Sequence, residues 1–224
     1  MGIFQRNLTS ELLEKHALRQ LEQSDNLRVL ELGCGDANIT RNLQRAFPQN
    51  KYFASDISEE AVEKAKILSR NLNIEYRTGS IFGPWSADKF DLIISDVASI
   101  SEPLAKLSDW YDGVPCATGA NGLALISTVI GHSNNYLSES GSLLVPVLSL
   151  SNYKLQLDIS RKTYKKVSLM GEVRWPMPKK LVEKMVAAGI PLSCENWEIS
   201  NRFSIHIAFT DVIHCSDPFG GASD

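Results

Sequence analysis

The chain has 224 residues, 43% of them hydrophobic and 22% charged. This balance predicts one ordinary domain with a buried core and excludes large-scale disorder. The 23 basic and 26 acidic residues leave a net charge of −3, so no overall positive field favours a nucleic-acid partner. No apolar run approaches the roughly 20 residues needed to cross a bilayer, and we expect no membrane partner.

The cysteines are scattered and form none of the close pairs that zinc sites and redox dithiols use: Cys34, Cys116, Cys194 and Cys215. His16, His206 and His214 likewise show no metal-ligand spacing with other ligand types. We therefore expect free thiols, no metal ion and a cytoplasmic location, where thiols stay reduced.

Short β-rich runs alternate with helical patterns over the first two thirds of the chain. That alternation predicts an α/β fold with a doubly wound, mostly parallel sheet. The predicted strands are 28–32, 52–55, 74–78, 90–95 and 142–148, and the predicted helices are 10–23, 37–46, 59–71 and 122–137. Beyond residue 150 we predict a helix at 151–162, a strand at 166–171, a helix at 178–188 and a final strand at 202–210.

The segment VLELGCGDANIT, residues 29–40, runs from a buried strand through a glycine-bearing turn into a helix. Gly33 and Gly35 let the backbone turn sharply and approach a ligand. The third glycine of a dinucleotide fingerprint is missing, and Glu31 and Asp36 flank the turn. Carboxylates there disfavour a pyrophosphate and suit S-adenosylmethionine, which carries a cationic sulfonium and an ammonium group. NAD is the alternative ligand.

This segment resembles the glycine-rich motif of class I S-adenosylmethionine-dependent methyltransferases. The resemblance implies a seven-stranded Rossmann-like sheet, with Gly33, Cys34 and Gly35 approaching the cofactor and with Glu31 and Asp36 shaping its amino-acid pocket. Separately, the last two strands are joined by more residues than a hairpin needs, which predicts an insertion at 173–200 that either covers the substrate or is only a surface feature. The expected domain spans 1–224: an N-terminal helical segment at 1–27, a cofactor-binding core at 28–150 and a C-terminal part at 151–224.

The tips of the next two strands carry further candidate cofactor contacts. Asp56 lies about 20 residues beyond the glycines, where a carboxylate accepts hydrogen bonds from both ribose hydroxyls. An isolated aspartate there is more often a helix cap. Ile57 follows it, and Ser80 and Ile81 are placed to flank the adenine.

Ser95 and Asp96 end the fourth strand, at the sheet edge where open α/β sheets bind ligands. The stretch from 110 to 147 resembles release-factor glutamine methyltransferases, sharing a Tyr-Asp-Gly turn at 111–113. Those enzymes carry Asn-Pro-Pro-Tyr after this strand, whereas this chain has Ser95, Asp96, Val97 and Ala98. The substitution argues against glutamine methylation by that route. Asp96 is our candidate base, with a cofactor contact alone as the equal alternative.

Trp110 and Tyr111 are expected at the rim of the site, and Trp175 is expected in the substrate-covering insertion. Core packing is a comparable interpretation of Trp110 and Tyr111. We expect methyl transfer to oxygen, nitrogen or carbon of a small molecule, because the acidic composition and the insertion favour an enclosed pocket. A protein or RNA methyltransferase and an inactive cofactor-binding scaffold are the alternatives.

Overall fold

The computed structural model describes residues 6–111 and 116–219. Its central sheet is built on five parallel strands: β1 (Arg28–Leu32), β2 (Lys51–Asp56), β3 (Ile74–Thr78), β4 (Phe90–Ser95) and β5 (Leu137–Leu148). They lie in the order β3-β2-β1-β4-β5. The reversal of strand order at β1 opens a crevice at the carboxyl ends of β1 and β4, where such sheets bind ligands. The predicted α/β fold is confirmed, and β1, β3 and β4 have the predicted bounds.

The last strand, β11 (Ile205–Pro218), runs antiparallel to β5. Its opposite edge pairs in turn with β6 (Tyr164–Leu169) and β7 (Val173–Pro176), and its start forms a hairpin with β10 (Ser200–Arg202). We predicted an end at residue 210. The strand continues to Pro218 because β5 and β6 pair with its second half on both edges.

Helices cover both faces of the sheet: α1 (Leu8–Leu21), α2 (Asn38–Ala46), α3 (Glu59–Leu68), α4 (Glu102–Leu107), α5 (Ala124–His132), α6 (Tyr153–Thr163) and α7 (Lys179–Ala187). Apolar side chains of α1 and α2 pack on one face, while those of α5 pack on the other. In the described residues no helix has the length and apolar character of a membrane span.

Two predicted boundaries around α5 were wrong. The helix ends at His132 instead of residue 137, because a 3-10 turn at Ser133–Asn135 breaks it. The strand β5 then begins at Leu137 instead of residue 142. Its first residue pairs with Phe90 at the start of β4, which extends the strand beyond its apolar run.

The insertion at 173–200 contains β7, α7 and a small hairpin of β8 (Ser193–Cys194) and β9 (Trp197–Glu198). Within the described ranges the main sheet has nine strands instead of the predicted seven, because β7 and β10 pair with β11. Met177, Leu181 and Met185 form a separate apolar cluster with Ile100 and Leu104 from the segment after β4. This contact places the insertion beside the carboxyl edge of the sheet.

Candidate active site

The turn after β1 lies close to the backbone of Val97, which follows β4. Gly33 and Gly35 have φ of +72° and +53°, a region that glycine adopts without a steric penalty. A Cβ added to Gly33 would lie 2.9 Å from Cγ1 and 3.1 Å from the amide nitrogen of Val97. The amides of Gly33 and Cys34 both donate to the carbonyl of Ser55, at 2.9 and 3.0 Å. The turn is therefore fixed to β2 and leaves space at the strand tips.

Asp56 connects the turn to the start of α3. Its Oδ2 accepts from the Gly35 amide at 2.9 Å, and its Oδ1 accepts from the Ser58 amide at 2.9 Å. A carboxylate has about four acceptor positions, so each oxygen retains a position for a ligand hydroxyl. The helix cap that was the alternative role for Asp56 is instead supplied by Ser58, whose hydroxyl accepts from the Ala61 amide at 3.2 Å.

Glu31 is 2% exposed and lies beneath the turn. Its Oε2 accepts from the Thr40 amide at 3.0 Å and from the Thr40 hydroxyl. Burial raises the pKa of Glu31 to about 8, against the lowering effect of these bonds. A bound cation would favour the ionised carboxylate and lower that pKa.

Asp96 follows β4 and faces the first turn of α1. The Ser10 hydroxyl donates to its Oδ2 at 2.6 Å. Loss of hydration raises the pKa of Asp96 to about 7, and the Ser10 bond and the Arg6 charge oppose the rise. A carboxylate with this pKa can accept a proton near neutral pH.

A cavity of about 220 Å³ joins these groups. Eleven of the residues that the sequence predicted line it: Glu31, Gly33, Cys34, Gly35, Asp36, Asp56, Ile57, Ser80, Ile81, Asp96 and Tyr111. Ser95 does not line the cavity. Strand alternation directs its side chain to the same face as the buried Ile93, and its hydroxyl is buried without a hydrogen-bond partner in the described residues. The lining thus gives no support to a contact between Ser95 and the cofactor, and that contact stays a prediction.

A second cavity of about 220 Å³ lies next to the first. Trp110 and Trp175 line this second cavity and not the first, with ring centroids 5.9 Å apart at 72°. Asn7, Thr9, Tyr111 and Leu148 line both cavities. The predicted substrate residues thus share one cavity adjoining the crevice. Of the Tyr-Asp-Gly turn, Asp112 and Gly113 lie outside the described residues.

The sequence predicted a helix from residue 10 that packs on the sheet or covers a site, with packing preferred, and the first turn of α1 lies at the site. The helix begins earlier because the Asn7 side chain accepts from the amides of Thr9 and Ser10, at 2.9 and 3.1 Å. Arg6, Asn7, Thr9 and Ser10 line the first cavity. The N-cap pattern of Asn7 was the available signal for the helix start, but no motif placed that start over the crevice.

The charge of the first cavity identifies the kind of ligand that fits. Its lining includes the carboxyl groups of Glu31, Asp36, Asp56 and Asp96, and Arg6 is the only basic residue among the described residues that line it. Arg6 also forms a salt bridge with Glu14, with Nη1 of Arg6 2.5 Å from Oε2 of Glu14. Such a lining disfavours a pyrophosphate and suits a nucleoside that carries a sulfonium and an ammonium group.

Comparison with known proteins agrees with this geometry. Residues 23–169 match the family model described as a methyltransferase domain. The chain is 28% identical over 178 residues to a malonyl-[acyl-carrier protein] O-methyltransferase of Halalkalibacterium halodurans, covering 75% of this chain and 63% of that protein. It is 30% identical over 146 residues to a release factor glutamine methyltransferase of Streptococcus pneumoniae, covering 62% and 51%. The chain thus spans between half and two thirds of the length of these relatives.

Solved structures share the fold at low sequence identity. A T. thermophilus 16S rRNA N2 G1207 methyltransferase, in complex with AdoMet and guanosine, aligns with a TM-score of 0.57 and 11% identity, covering 95% of this chain and 44% of that one. A ribosomal protein L11 methylase of Lactobacillus delbrueckii aligns with a TM-score of 0.55 and 13% identity, covering 94% and 80%. From the family match over residues 23–169, the chain belongs to the methyltransferase domain family.

Proposed function

We propose that the chain transfers the methyl group of S-adenosylmethionine to an oxygen, nitrogen or carbon atom of a small molecule. The observation that carries this proposal is the second cavity. It adjoins the acidic crevice through Asn7, Thr9, Tyr111 and Leu148. Pockets for small molecules are lined mostly by apolar and aromatic side chains, as the described wall of this cavity is.

The first cavity is the proposed cofactor site. Asp56 would accept from the ribose hydroxyls while it holds the Gly35 amide, and Ser80 and Ile81 would flank the adenine. Glu31 and Asp36 would face the cationic amino-acid end, where their charge is favourable. The cofactor supplies an electrophilic methyl group on a positively charged sulfur.

The protein's own task is positioning. Methyl transfer from a sulfonium requires a near-linear approach of the nucleophile, so an acceptor held in the second cavity gains most from fixed orientation. Asp96 would accept the proton that the acceptor loses, with its Oδ2 held by Ser10 at 2.6 Å.

A protein substrate is the alternative, because several relatives are named as protein methyltransferases. The residues after β4 argue against glutamine as the acceptor. Ser95-Asp96-Val97-Ala98 lacks the asparagine, both prolines and the tyrosine that hold a planar amide in the release-factor enzymes. An inactive scaffold would not need the positive φ of Gly33 and Gly35 or the Asp56 contacts.

Incubation with methyl-labelled S-adenosylmethionine and cell extract tests the proposal. The extract is separated afterwards into small molecules, protein and nucleic acid. We expect label in the small-molecule fraction and loss of that label with Asp96→Asn. Label confined to protein or RNA would overturn the proposal, and cofactor binding without transfer to any fraction would support the scaffold.

A further inference from the structure

We infer that the acceptor is an uncharged phenol with a single aromatic ring, whose hydroxyl points from the second cavity into the crevice. This inference rests on the proposed function and deepens it, because it specifies the chemical class of the small molecule. Three properties of the second cavity support it: the side chains that line it, its volume and its position beside the crevice.

The wall of the second cavity carries no charge among its described residues. Three aromatic side chains, four aliphatic side chains, two prolines and two neutral polar residues line it: Trp110, Tyr111, Trp175, Leu8, Ile100, Leu148, Leu150, Pro176, Pro178, Asn7 and Thr9. Burial of an ionised group in such a wall without a partner is strongly unfavourable. The described wall therefore favours an acceptor whose bound part carries no carboxylate, phosphate or ammonium group.

The arrangement of aromatic rings favours a flat guest. Trp110 and Trp175 meet edge to face with centroids 5.9 Å apart, and Tyr111 lies on the side nearer the crevice. An aromatic ring of the acceptor can make offset or edge-to-face contacts with these side chains, which add to the stabilisation from buried area. A saturated ring of the same size would gain only the burial.

The volume of the second cavity suits a guest of one ring with small substituents. An apolar cavity of about 150 Å³ holds benzene, and this cavity measures about 220 Å³. The difference leaves space for a substituent of a few heavy atoms.

The reacting atom lies where the two cavities meet. Asp96 lines the crevice and not the second cavity, so the hydroxyl must pass the shared residues Tyr111 and Leu148 to reach it. A phenol has a pKa of about 10, which is close enough to that of Asp96, about 7, for proton transfer as the oxygen reacts. An aliphatic hydroxyl, with a far higher pKa, is a much poorer proton donor.

The proposed step is balanced. A lone pair of the phenol oxygen forms the new bond to the methyl carbon while the bond from that carbon to sulfur breaks and its electron pair stays on sulfur. The phenolic proton passes to Asp96 and later to solvent. The products are an aryl methyl ether and S-adenosylhomocysteine, and no oxidant or reductant is needed.

A matched panel of acceptors tests the inference with the full-length chain. The neutral phenol 4-hydroxyacetophenone is compared with its saturated counterpart, 4-acetylcyclohexanol, and with the charged 4-hydroxybenzoate, by following S-adenosylhomocysteine formation. We expect the neutral phenol to exceed both in kcat/KM by roughly tenfold or more, from ring contacts and uncharged burial. Equal or greater turnover of the cyclohexanol or the benzoate, or no turnover of the phenol, would overturn the inference.

Two variants test whether the acceptor binds in the second cavity. Trp175→Ala and Trp110→Ala should each lower kcat/KM for the phenol by roughly tenfold, mainly through KM, with cofactor affinity unchanged. Val186→Ala, at an exposed position in the same insertion, should leave kcat/KM unchanged, and thermal unfolding shows that each variant is folded. Unaltered kcat/KM in both tryptophan variants would overturn the placement.

The fractionation experiment separates the two possible failures. Label in small molecules that are not phenols leaves the proposed function intact and overturns this inference. Label only in macromolecules overturns both.

Discussion

The hydroxyl of Ser10, in the first turn of α1, donates a 2.6 Å hydrogen bond to Oδ2 of Asp96, 86 positions away at the end of β4. The same turn also forms a hydrogen bond to β11, since the hydroxyls of Thr9 and Thr210 lie 3.3 Å apart. The N-terminal helix is therefore part of the active site and affects the candidate base directly.

Replacement of Ser10 should alter the pH dependence of catalysis. The Ser10 bond lowers the pKa of Asp96, so Ser10→Ala removes that effect and raises the pKa. The rising limb of the kcat profile then moves to higher pH, because deprotonated Asp96 appears later. Ser24→Ala, at an exposed serine just after α1, is the control. A profile that Ser10→Ala does not move would show that Asp96 is not the base.

Asp96→Asn should separate turnover from binding. The amide keeps the size of the side chain but cannot accept the proton, so kcat falls while cofactor affinity stays the same. Single-turnover kinetics and calorimetry measure the two quantities. Full turnover by the variant would leave Asp96 with a structural or cofactor-binding role only.

Asp56→Ala should weaken cofactor binding by roughly 1–3 kcal/mol, because the ribose hydroxyls lose their acceptor. The variant should also be less stable, since the amides of Gly35 and Ser58 lose their partner. Calorimetry at a temperature where the variant is folded isolates the binding effect, with Asp158→Ala in α6 as the control. Undiminished affinity would remove Asp56 from the proposed site.

Gly33→Ala should destabilise the fold by about 1–3 kcal/mol, because an alanine is strained at φ +72° and its Cβ meets Val97. Gly131→Ala provides the contrast. Gly131 lies in α5 with nothing within 4 Å of an added Cβ, and alanine is the better helix former. Chemical denaturation compares the two, and equal stability of both variants would contradict the close approach described for the turn.

The stability of the cofactor-free protein should fall as pH rises from about 4.5 to about 8. Across this interval Glu31 is protonated in the folded chain, with a pKa of about 8, and ionised in the unfolded chain, with a pKa near 4.5. The folded state holds more protons, so the free energy of unfolding decreases with pH. Asp96 contributes with the same sign between about 3.8 and about 7.

Glu31→Gln is the test of that dependence, because glutamine does not titrate. Denaturation across the pH range should give a smaller decrease for the variant than for the native chain. Identical pH dependence in the two proteins would place the pKa of Glu31 near its ordinary value and contradict the burial argument.

The sequence predicted the crevice better than it predicted the acceptor side. Glycines and carboxylates at the tips of β1, β2 and β3 follow from strand periodicity, so Gly33, Asp56 and Ser80 were placed correctly at the cavity. Ser95, predicted from its place at the end of β4, does not line the cavity, because a shift of one position along a strand reverses the face. The contribution of Asn7, Thr9 and Ser10 depends on tertiary packing of α1, which local patterns do not encode.

The bounds of the late strands also depend on tertiary contacts that local sequence patterns do not encode. The length of β11 comes from pairing with β5 and β6, partners distant in the chain, and its own sequence shows no end signal at residue 210 or start signal at 205. The hairpin and β7 within 173–200 are too short for a periodic pattern. Both features therefore became visible only in the structure.

A crystal structure of the chain with S-adenosylhomocysteine is the most direct test of the proposed cofactor site. We predict that the ribose hydroxyls lie within hydrogen-bonding distance of Asp56 and that the adenine lies between Ser80 and Ile81. The sulfur should point toward Asp96 and the second cavity. A nucleoside bound elsewhere on the chain, or one whose ribose does not contact Asp56, would contradict it.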